Sequence, residues 1–330
     1  MTMARVVLPR LLQAVPVLLL VAALAFALDM VTGDPVTASL GPDATATQRA
    51  AAVAQLGLDD PLPLRYLRFV GQALRGDLGV STRLARPVGG LIAERLPATV
   101  ELAGVAFVLS LVIGIAGGAY AAVRRSARST RLLLFASLLG VSLPTFLTGT
   151  LLILIFAATL RVLPSFGRGE VVALGGWTTG LLTGSGWAAL VLPALTLAAF
   201  QSALLLRLVR DGMIAALDSE FVRFARARGL SQGVVLRHAL ANALTPVVAA
   251  AAVQLGTLVA FSVVTETVFQ WPGLGQLLVE SVAAADEPVI AAYLMLVALL
   301  FVAINLAADL LCLAIDPRLR VAPDSVKVRQ

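Results

Sequence analysis

The sequence predicts an all-α polytopic membrane protein with six transmembrane helices. Of its 330 residues, 59% are hydrophobic and 13% are charged, whereas a soluble domain carries about 25% charged residues. The charged residues cluster and leave six long uncharged runs, and a helix needs about 20 apolar residues to cross a bilayer. The transmembrane helices are predicted at approximately residues 9–30, 98–122, 132–160, 188–207, 244–268 and 288–314. Pro144 is expected to kink the third of them.

The basic residues predict the orientation of these helices, because short cytoplasmic loops are enriched in Lys and Arg. If the N-terminus is cytoplasmic, the inside segments hold sixteen of the 25 Lys and Arg residues. The two short outside loops then hold only Arg161 and Arg168. Both termini are therefore predicted to be cytoplasmic. The net charge of +6 follows from this topology, and no nucleic-acid partner is expected.

The first predicted helix has the features of an uncleaved anchor over residues 1–31. Arg5 and Arg10 precede an uncharged run at 11–28. A cleaved signal peptide is the alternative, but this run of 18 residues is longer than the roughly 7–15 residues of a signal core.

The remaining chain is predicted to form three segments. Residues 32–97 form an outside segment, in which helical spacing of apolar residues predicts two short surface helices over 45–57 and 61–75. Residues 98–316 form the transmembrane domain, and residues 317–330 form a cytoplasmic tail.

The rarest residue types exclude several kinds of chemistry. Lys327 is the one lysine, so no Gly-x-x-x-x-Gly-Lys-Ser/Thr phosphate-binding loop is present. His238 and Cys312 are the one histidine and the one cysteine, too few for a zinc site with several such ligands. The chain is therefore predicted to be no enzyme, with no catalytic residue and no bound metal. If ATP drives its function, another polypeptide hydrolyses the ATP.

Three acidic residues fall within the predicted helices, where ionisable groups are costly and often functional. They are Glu101, Glu266 and Asp309. Glu101 and Glu266 are expected near the outer ends of their helices, and Asp309 about two turns from the cytoplasmic exit. Interfacial or interhelical roles are favoured over a proton relay, because none of the three is clearly at the midplane.

The polar segment at 210–243, between the fourth and fifth predicted helices, contains the signals of a short helix. Asp218 or Ser219 suits the N-cap, and Glu220 falls in the first turn, where the helix dipole favours an acid. Gly229 suits the position after the helix end. A second helix is predicted from the Ser231 cap to about Asn242, before Pro246 at the entry to the fifth transmembrane helix.

The short helix carries an apolar face with helical spacing. Positions i, i+3, i+4 and i+7 are occupied by Phe221, Phe224, Ala225 and Arg228. A helix of about ten residues is not stable alone in water, so the two aromatic rings are expected to need a groove on a partner. The alternative is a basic loop lying on anionic lipid, which explains the arginines but not the capped helix.

Five motifs carry a resemblance over nearly the whole chain. Glu-Phe-Val-Arg-x-Ala-Arg-Ala-x-Gly-Leu-Ser begins at Glu220, and Arg-His-Ala-Leu-x-Asn-Ala-Leu-x-Pro-Val-Val begins at Arg237. The others are Glu-Thr-Val-Phe-x-Trp-Pro-Gly-Leu-Gly from Glu266, Gly-Asp-Leu-Gly from Gly76, and Asp-Pro-Arg from Asp316. Together they resemble the permeases of ABC importers, in the dipeptide, oligopeptide and nickel branch.

The resemblance implies a type I ABC importer transmembrane domain with an outside cap after the first helix, in the cytoplasmic (inner) membrane. It also implies that residues 218–230, within a coupling loop at 210–243, form a coupling helix seated in a groove of an ATP-binding subunit. The implied coupling residues are Asp218, Glu220, Phe221, Arg223, Phe224, Ala225, Arg226, Arg228, Gly229 and Leu230. The general importer signature has Glu-Ala-Ala where this chain has Arg223-Phe224-Ala225, so one alanine is kept.

The same resemblance implies the partners and the substrate. The partners are a second homologous permease subunit, two ATP-binding subunits that use ATP and Mg, an extracytoplasmic solute-binding protein and membrane lipid. The substrate is a short peptide, with nickel or another small solute as the alternative. A stand-alone secondary carrier or channel is less favoured, because no midplane charge pair and no clear inverted halves are seen.

The motif after the fifth transmembrane helix indicates the outer mouth. The gate candidates are Glu266, Trp271, Pro272 and Gly273. Four acids near this mouth are expected to favour the cationic amine end of a peptide: Glu266, Glu280, Asp286 and Glu287.

Overall fold

The structure, a computed structural model, describes residues 4–32, 45–56 and 59–315. Helices make up most of this described chain. The elements in order are α1 (Ala4–Thr32), α2 (Ala46–Leu56), α3 (Leu62–Leu74), α4 (Val88–Val123), α5 (Arg128–Ser142), α6 (Thr145–Leu152, continued as a π-helix over Ile153–Thr159), β1 (Val172–Leu174), β2 (Trp177–Thr179), α7 (Gly184–Leu217), α8 (Glu220–Ala227), α9 (Gln232–Val268), α10 (Leu274–Ala283) and α11 (Glu287–Ile315).

The predicted all-α polytopic architecture is confirmed. In the described chain, α1, α4, α7, α9 and α11 contain segments long and apolar enough to cross a membrane. The pair α5 and α6 brings the number to six if it forms one broken span. Residues 316–330, with the Asp316-Pro317-Arg318 motif and the tail, lie outside the described chain.

Two membrane helices extend much further into the polar segment than hydropathy predicts. α7 continues to Leu217, and α9 begins at Gln232. The prediction of a separate helix ending near Asn242 is wrong, because α9 runs without interruption past Pro246. A proline inside a membrane helix is tolerated where neighbouring helices and side chains satisfy the freed backbone groups.

The third predicted helix, 132–160, is broken rather than kinked. α5 ends at Ser142, α6 begins at Thr145, and the two are bent by 115°. Pro144 has no N–H for a helical hydrogen bond, and it disfavours helical geometry at the preceding residue. Leu143 accordingly has an extended conformation with ψ 131°. The sequence identified the position of the break but not its size.

The core is built on close packing between α4 and α7. A Cβ atom at Gly118 would lie 2.6 Å from the carbonyl oxygen of Leu206 and 2.7 Å from Cβ of Val209. A Cβ atom at Gly114 would lie 2.6 Å from Cβ of Leu205. Glycines spaced four apart allow this approach of helix backbones in a membrane. α9 packs against both helices and completes a buried cluster that includes Met213.

The outside segment packs against the membrane helices. Its described helices α2 and α3 correspond to the two predicted surface helices, while residues 33–44 and 57–58 lie outside the described chain. Tyr66 Oη donates to the carbonyl of Leu19 at 2.7 Å, and the ring of Phe26 in α1 contacts those of Tyr66 and Phe69. The strands β1 and β2 form an antiparallel hairpin in the loop between α6 and α7.

Candidate functional sites at the two ends of the helices

The predicted short helix forms as α8, Glu220–Ala227, between α7 and α9. Ser219 occupies its N-cap position, but the Ser219 hydroxyl donates to the carbonyl of Ala216 at 2.5 Å and accepts no backbone N–H. Asp218 is the C-cap residue of α7. The predicted side-chain cap is therefore wrong, because the chain turns so tightly out of α7 that the serine bonds back to it.

The end of α8 depends on the backbone freedom of Gly229. Its φ is +74°, in the left-handed region. Its N–H donates to the carbonyl of Arg226 at 2.9 Å, and the N–H of Leu230 donates to the carbonyl of Ala225 at 3.2 Å. This pair of bonds is the Schellman arrangement, which satisfies the free carbonyls at a helix end. The predicted glycine stop at this position is confirmed.

α8 presents its aromatic rings away from its own chain. Val222 is the buried residue of this helix and packs inward. Phe221, Phe224 and Leu230 keep 43%, 64% and 43% of their surface exposed. The Arg228 guanidinium lies 5.7 Å from the centroid of the Phe224 ring. The apolar surface on α8 is therefore uncovered in the isolated chain.

The charged residues of α8 lie at its start and on its exposed side. Arg223 donates to Glu220 at 2.7 Å, with both side chains largely exposed. Arg226 lines a small pocket of about 180 Å³ together with Arg125, Asp218 and Gln232. Ala225 is half-buried.

An ion pair that the sequence did not reveal joins the turn between α7 and α8 to the end of α4. Both terminal nitrogens of Arg125 donate to the Asp218 carboxylate at 3.2 Å. Arg125 lies in the turn after α4, whereas Asp218 immediately precedes α8. The two residues are 93 positions apart, so only the packing of α4 on α7 brings them together.

At the other end of the helices, Glu266 is fully buried and joins three elements. Its carboxylate accepts from the Thr99 hydroxyl of α4 at 2.8 Å. It also accepts from the backbone N–H groups of Gly275 and Gln276 at 2.7 and 3.1 Å. Free N–H groups at a helix start favour a carboxylate, so Glu266 caps α10. This geometry fits the interhelical role favoured from the sequence.

The other gate candidates surround Glu266. Trp271 is fully buried, and its Nε1–H donates to the carbonyl of Ala98 at 2.9 Å. A Cβ atom at Gly273 would lie 2.4 Å from Glu266 Oε2 and 2.6 Å from the Thr99 hydroxyl. Pro272 between them is half-buried. These residues fasten α4 to the turn between α9 and α10, an arrangement called the outer lock below. Their role as a gate stays a prediction.

A buried ion pair attaches the outside hairpin to the same region. Arg168 donates to Glu101 at 2.5 Å, and their side chains are only 7% and 3% exposed. The N–H of Gly180 donates to both Glu101 oxygens at 3.2 Å. Arg168 also donates to the Thr178 carbonyl at 2.8 Å and stacks 6.0 Å from the Trp271 ring centroid. In the sequence, Arg168 was noted only as a basic residue of a short predicted outside loop. Its position between Gly167 and Gly169 was the signal that could have indicated a structural role.

The acids near the outer mouth are mostly internal, so the expectation that they attract an amine is not supported. Glu266, Asp286 and Glu287 are 0%, 1% and 7% exposed. Asp286 accepts from the Ser81 hydroxyl at 2.5 Å and from the N–H of Thr82 at 3.1 Å. Glu280 keeps 35% exposure and lies 3.7 Å from Arg83. The side chain of Asp309 lies outside the described residues.

Two family models match almost the whole sequence. The model of the binding-protein-dependent transport system inner membrane component matches residues 114–321. The model of the N-terminal part of such membrane components matches residues 3–103. The chain belongs to this family, the inner-membrane components of binding-protein-dependent transport systems.

Individual relatives from this kind of transport system align with the chain over nearly their full length. The chain is 39% identical over 320 residues to the glutathione transport system permease protein GsiC of Escherichia coli O6:H1, covering 96% of this chain and 99% of that protein. It is 39% identical to GsiC of Salmonella paratyphi A and 38% identical to GsiC of Escherichia coli K12, with the same coverage.

A solved structure shows the same fold. An inward-facing structure of the MetNI methionine ABC transporter matches with a TM-score of 0.55 and 21% sequence identity, covering 68% of this chain and 96% of that chain. A second crystal form of the same transporter gives the same TM-score at 20% identity.

These findings identify the general function. The chain is a permease subunit of an ABC importer, a multi-pass protein of the inner membrane and not an enzyme. Its family implies an ATPase and a binding protein as partners. The class predicted from the sequence motifs is therefore confirmed.

Proposed function

We propose that this chain forms half of a path through which short peptides enter the cell, with a second homologous permease subunit forming the other half. The observation that carries this proposal is the 39% identity over 96% of the chain to a glutathione permease, since glutathione is itself a tripeptide. Nickel is the less favoured substrate. The sequence has one histidine and one cysteine, and neither lies in a predicted outside segment.

In this proposal, α8 receives the motion that ATP produces in two ATP-binding subunits, which bind the ATP and Mg themselves. The support is the uncovered apolar surface of Phe221, Phe224 and Leu230 on α8. Burial of such aromatic anchors in a pocket is the usual source of affinity at a protein interface. The buried Val222 packs α8 on the rest of the chain, and the exposed Arg125–Asp218 pair lies at the turn before it.

The proposal includes the predicted orientation and segment boundaries. α8 and both termini face the cytoplasm, which the excess of basic residues in these segments supports. The segments are an anchor at 1–31, an outside cap at 32–97, a transmembrane domain at 98–316 and a tail at 317–330. The outer lock then lies on the side where a solute-binding protein delivers its ligand.

The substrate proposal is tested with the whole transporter in proteoliposomes, assembled from the chain and its co-purifying permease, ATP-binding and solute-binding partners. ATP-dependent uptake of radiolabelled glutathione, triglycine and ⁶³Ni²⁺ is measured in parallel. We expect uptake of at least one of the two peptides and none of nickel. Nickel uptake without peptide uptake would contradict the peptide assignment. Vesicles containing the chain alone serve as the control for a stand-alone carrier and should take up none of the three.

A further inference from the structure

A cavity of about 370 Å³ lies at the break in the third membrane span. Three elements supply its walls: the α5–α6 break, α7 and α9. Lining residues that matter for its chemistry are Val141, Pro144, Phe200, Gln201, Leu258 and Phe261. All residues that line this cavity in the described chain are uncharged.

The broken backbone indicates what fills this cavity. Pro144 lies in the middle of the uncharged run between Arg131 and Arg161, and hence at membrane depth. Because Pro144 has no N–H, the carbonyl of Gly140 lacks its helical partner. Non-helical backbone at membrane depth is tolerated where it is buried in protein or lines a water-filled space, not where it faces lipid. The break therefore favours a solute-accessible cavity over a lipid-filled groove.

Gln201 brings an incompletely bonded amide to this cavity. Its side chain is 1% exposed, and its Nε2 donates to the carbonyl of Gln254 at 3.1 Å and to the Thr257 hydroxyl at 3.0 Å. Within the described chain, its Oε1 has no hydrogen-bond partner. A buried acceptor without a partner is costly, so this oxygen is suited to an N–H donor that arrives with a ligand.

The rest of the wall is apolar and partly aromatic. The rings of Phe200 and Phe261 lie 6.1 Å apart at a tilt of 45° and are partly exposed. Leu197 and Leu258 are buried beside them. A charged group would lose its hydration here without gaining a partner charge, so the ends of a peptide are poorly suited to this cavity. An uncharged side chain beside a peptide N–H matches both parts of the lining.

We propose that this cavity is a subsite for an apolar or aromatic side chain of the transported peptide, with Gln201 Oε1 accepting the N–H of an adjacent peptide bond. The inference rests on the proposed function as a peptide path. It adds that the permease itself is selective. During passage, the chain discriminates between peptides by a side chain within the peptide, independently of the solute-binding protein.

The test compares two peptides that differ in one side chain, triglycine and Gly-Phe-Gly, in proteoliposomes with the full set of partners. Val141→Trp fills the cavity from α5, and Phe261→Ala removes one aromatic wall. For each variant the uptake ratio of Gly-Phe-Gly to triglycine is divided by the wild-type ratio, which cancels the preference of the solute-binding protein. We expect this quotient to fall by roughly tenfold or more, the discrimination that a pocket gives for an apolar group.

Val112→Trp is the matched control, since Val112 is exposed on α4 and does not line the cavity. Its quotient should stay near one. Unchanged quotients in both cavity variants would overturn the subsite and indicate that the cavity faces lipid or the second permease. Equal loss of the two peptides would also overturn it, because a structural defect does not select between side chains. Failure of the proposed function is distinct: the wild-type transporter would then take up none of glutathione, triglycine and Gly-Phe-Gly.

Discussion

Gly229 determines where α8 ends. A Cβ atom there would meet open space, so the requirement for glycine comes from its φ of +74° and not from packing. In the outer lock, a glycine is required for the opposite reason, because packing leaves no room for a side chain. Gly273 has a φ of −105°, yet a Cβ atom there would collide with Glu266 and Thr99. The two ends thus depend on glycine for different physical reasons.

Gly229→Val is predicted to abolish coupling while the protein still inserts into the membrane. The left-handed conformation costs a non-glycine residue roughly 1–2 kcal/mol, and a β-branched residue fits it poorly. α8 should then end differently and misplace its rings. ATP-dependent uptake and the amount of membrane-inserted protein are measured together.

Gly233→Val is the control for this change. Gly233 also faces open space, but its φ is not in the left-handed region. It should keep most of the transport activity. Equal loss of transport in the two variants would contradict the role given to the backbone of Gly229.

Arg168→Ala is predicted to destabilise the outer end by about 3–5 kcal/mol, because it leaves the buried Glu101 carboxylate without its charge partner. The measurement is thermal unfolding of the detergent-purified protein. The matched change is Arg86→Ala, which breaks the exposed pair with Glu94 and should have no measurable effect. Similar melting temperatures for the two variants would show that the Arg168–Glu101 pair does not hold the hairpin.

Among the elements, the apolar spans were the most predictable from sequence and the turns between them the least. Uncharged runs mark membrane crossings because the bilayer excludes charge, and they located the five continuous spans and the broken α5–α6 pair. They could not show that α7 and α9 continue into the polar segment. The two extensions pack on each other, since a Cβ atom at Gly212 of α7 would lie 3.1 Å from Cβ of Ala243 in α9, and hydropathy does not show such a tertiary contact.

The functional sites divide in the same way into local features, which could be predicted from sequence, and non-local contacts, which could not. The glycine stop of α8 is a local backbone signal and was predictable. The Arg168–Glu101 pair joins residues 67 positions apart, and the Arg125–Asp218 pair is equally non-local. Likewise, Pro144 marks an interruption, but the 115° bend places α6 against α7 and α9, which are distant in sequence.

Gly118→Ala is predicted to destabilise the protein by about 1–3 kcal/mol, the usual effect of overpacking. The added methyl group would press on the Leu206 carbonyl and on Val209, and would separate α4 from α7. Gly104→Ala in the same helix meets open space and should be neutral or stabilising by up to about 1 kcal/mol. Unfolding of the two purified variants is compared. Equal stability would contradict the close packing of α4 on α7.

Across the whole molecule, α7 and α9 connect α8 to the outer lock. With 34 and 37 residues, they are about 50 and 55 Å long at about 1.5 Å per residue, well beyond a hydrocarbon core of about 30 Å. α8 joins the end of α7 to the start of α9, and the outer lock fastens the far end of α9 to α4. A displacement of α8 can therefore reach the outer surface as a rigid-body movement.

The central claim is that α8 docks on the ATP-binding subunit through its aromatic rings. The most direct test is the dissociation constant between nanodisc-embedded permease and its co-purifying ATP-binding subunit. Phe221→Ser with Phe224→Ser should weaken binding by about 2 kcal/mol or more, roughly 30-fold, because central aromatic anchors dominate such interfaces. Phe166→Ser, at another exposed ring outside α8, should leave the dissociation constant unchanged. Binding of the double variant as tight as that of the wild type would contradict the claim and indicate that these rings lie against lipid.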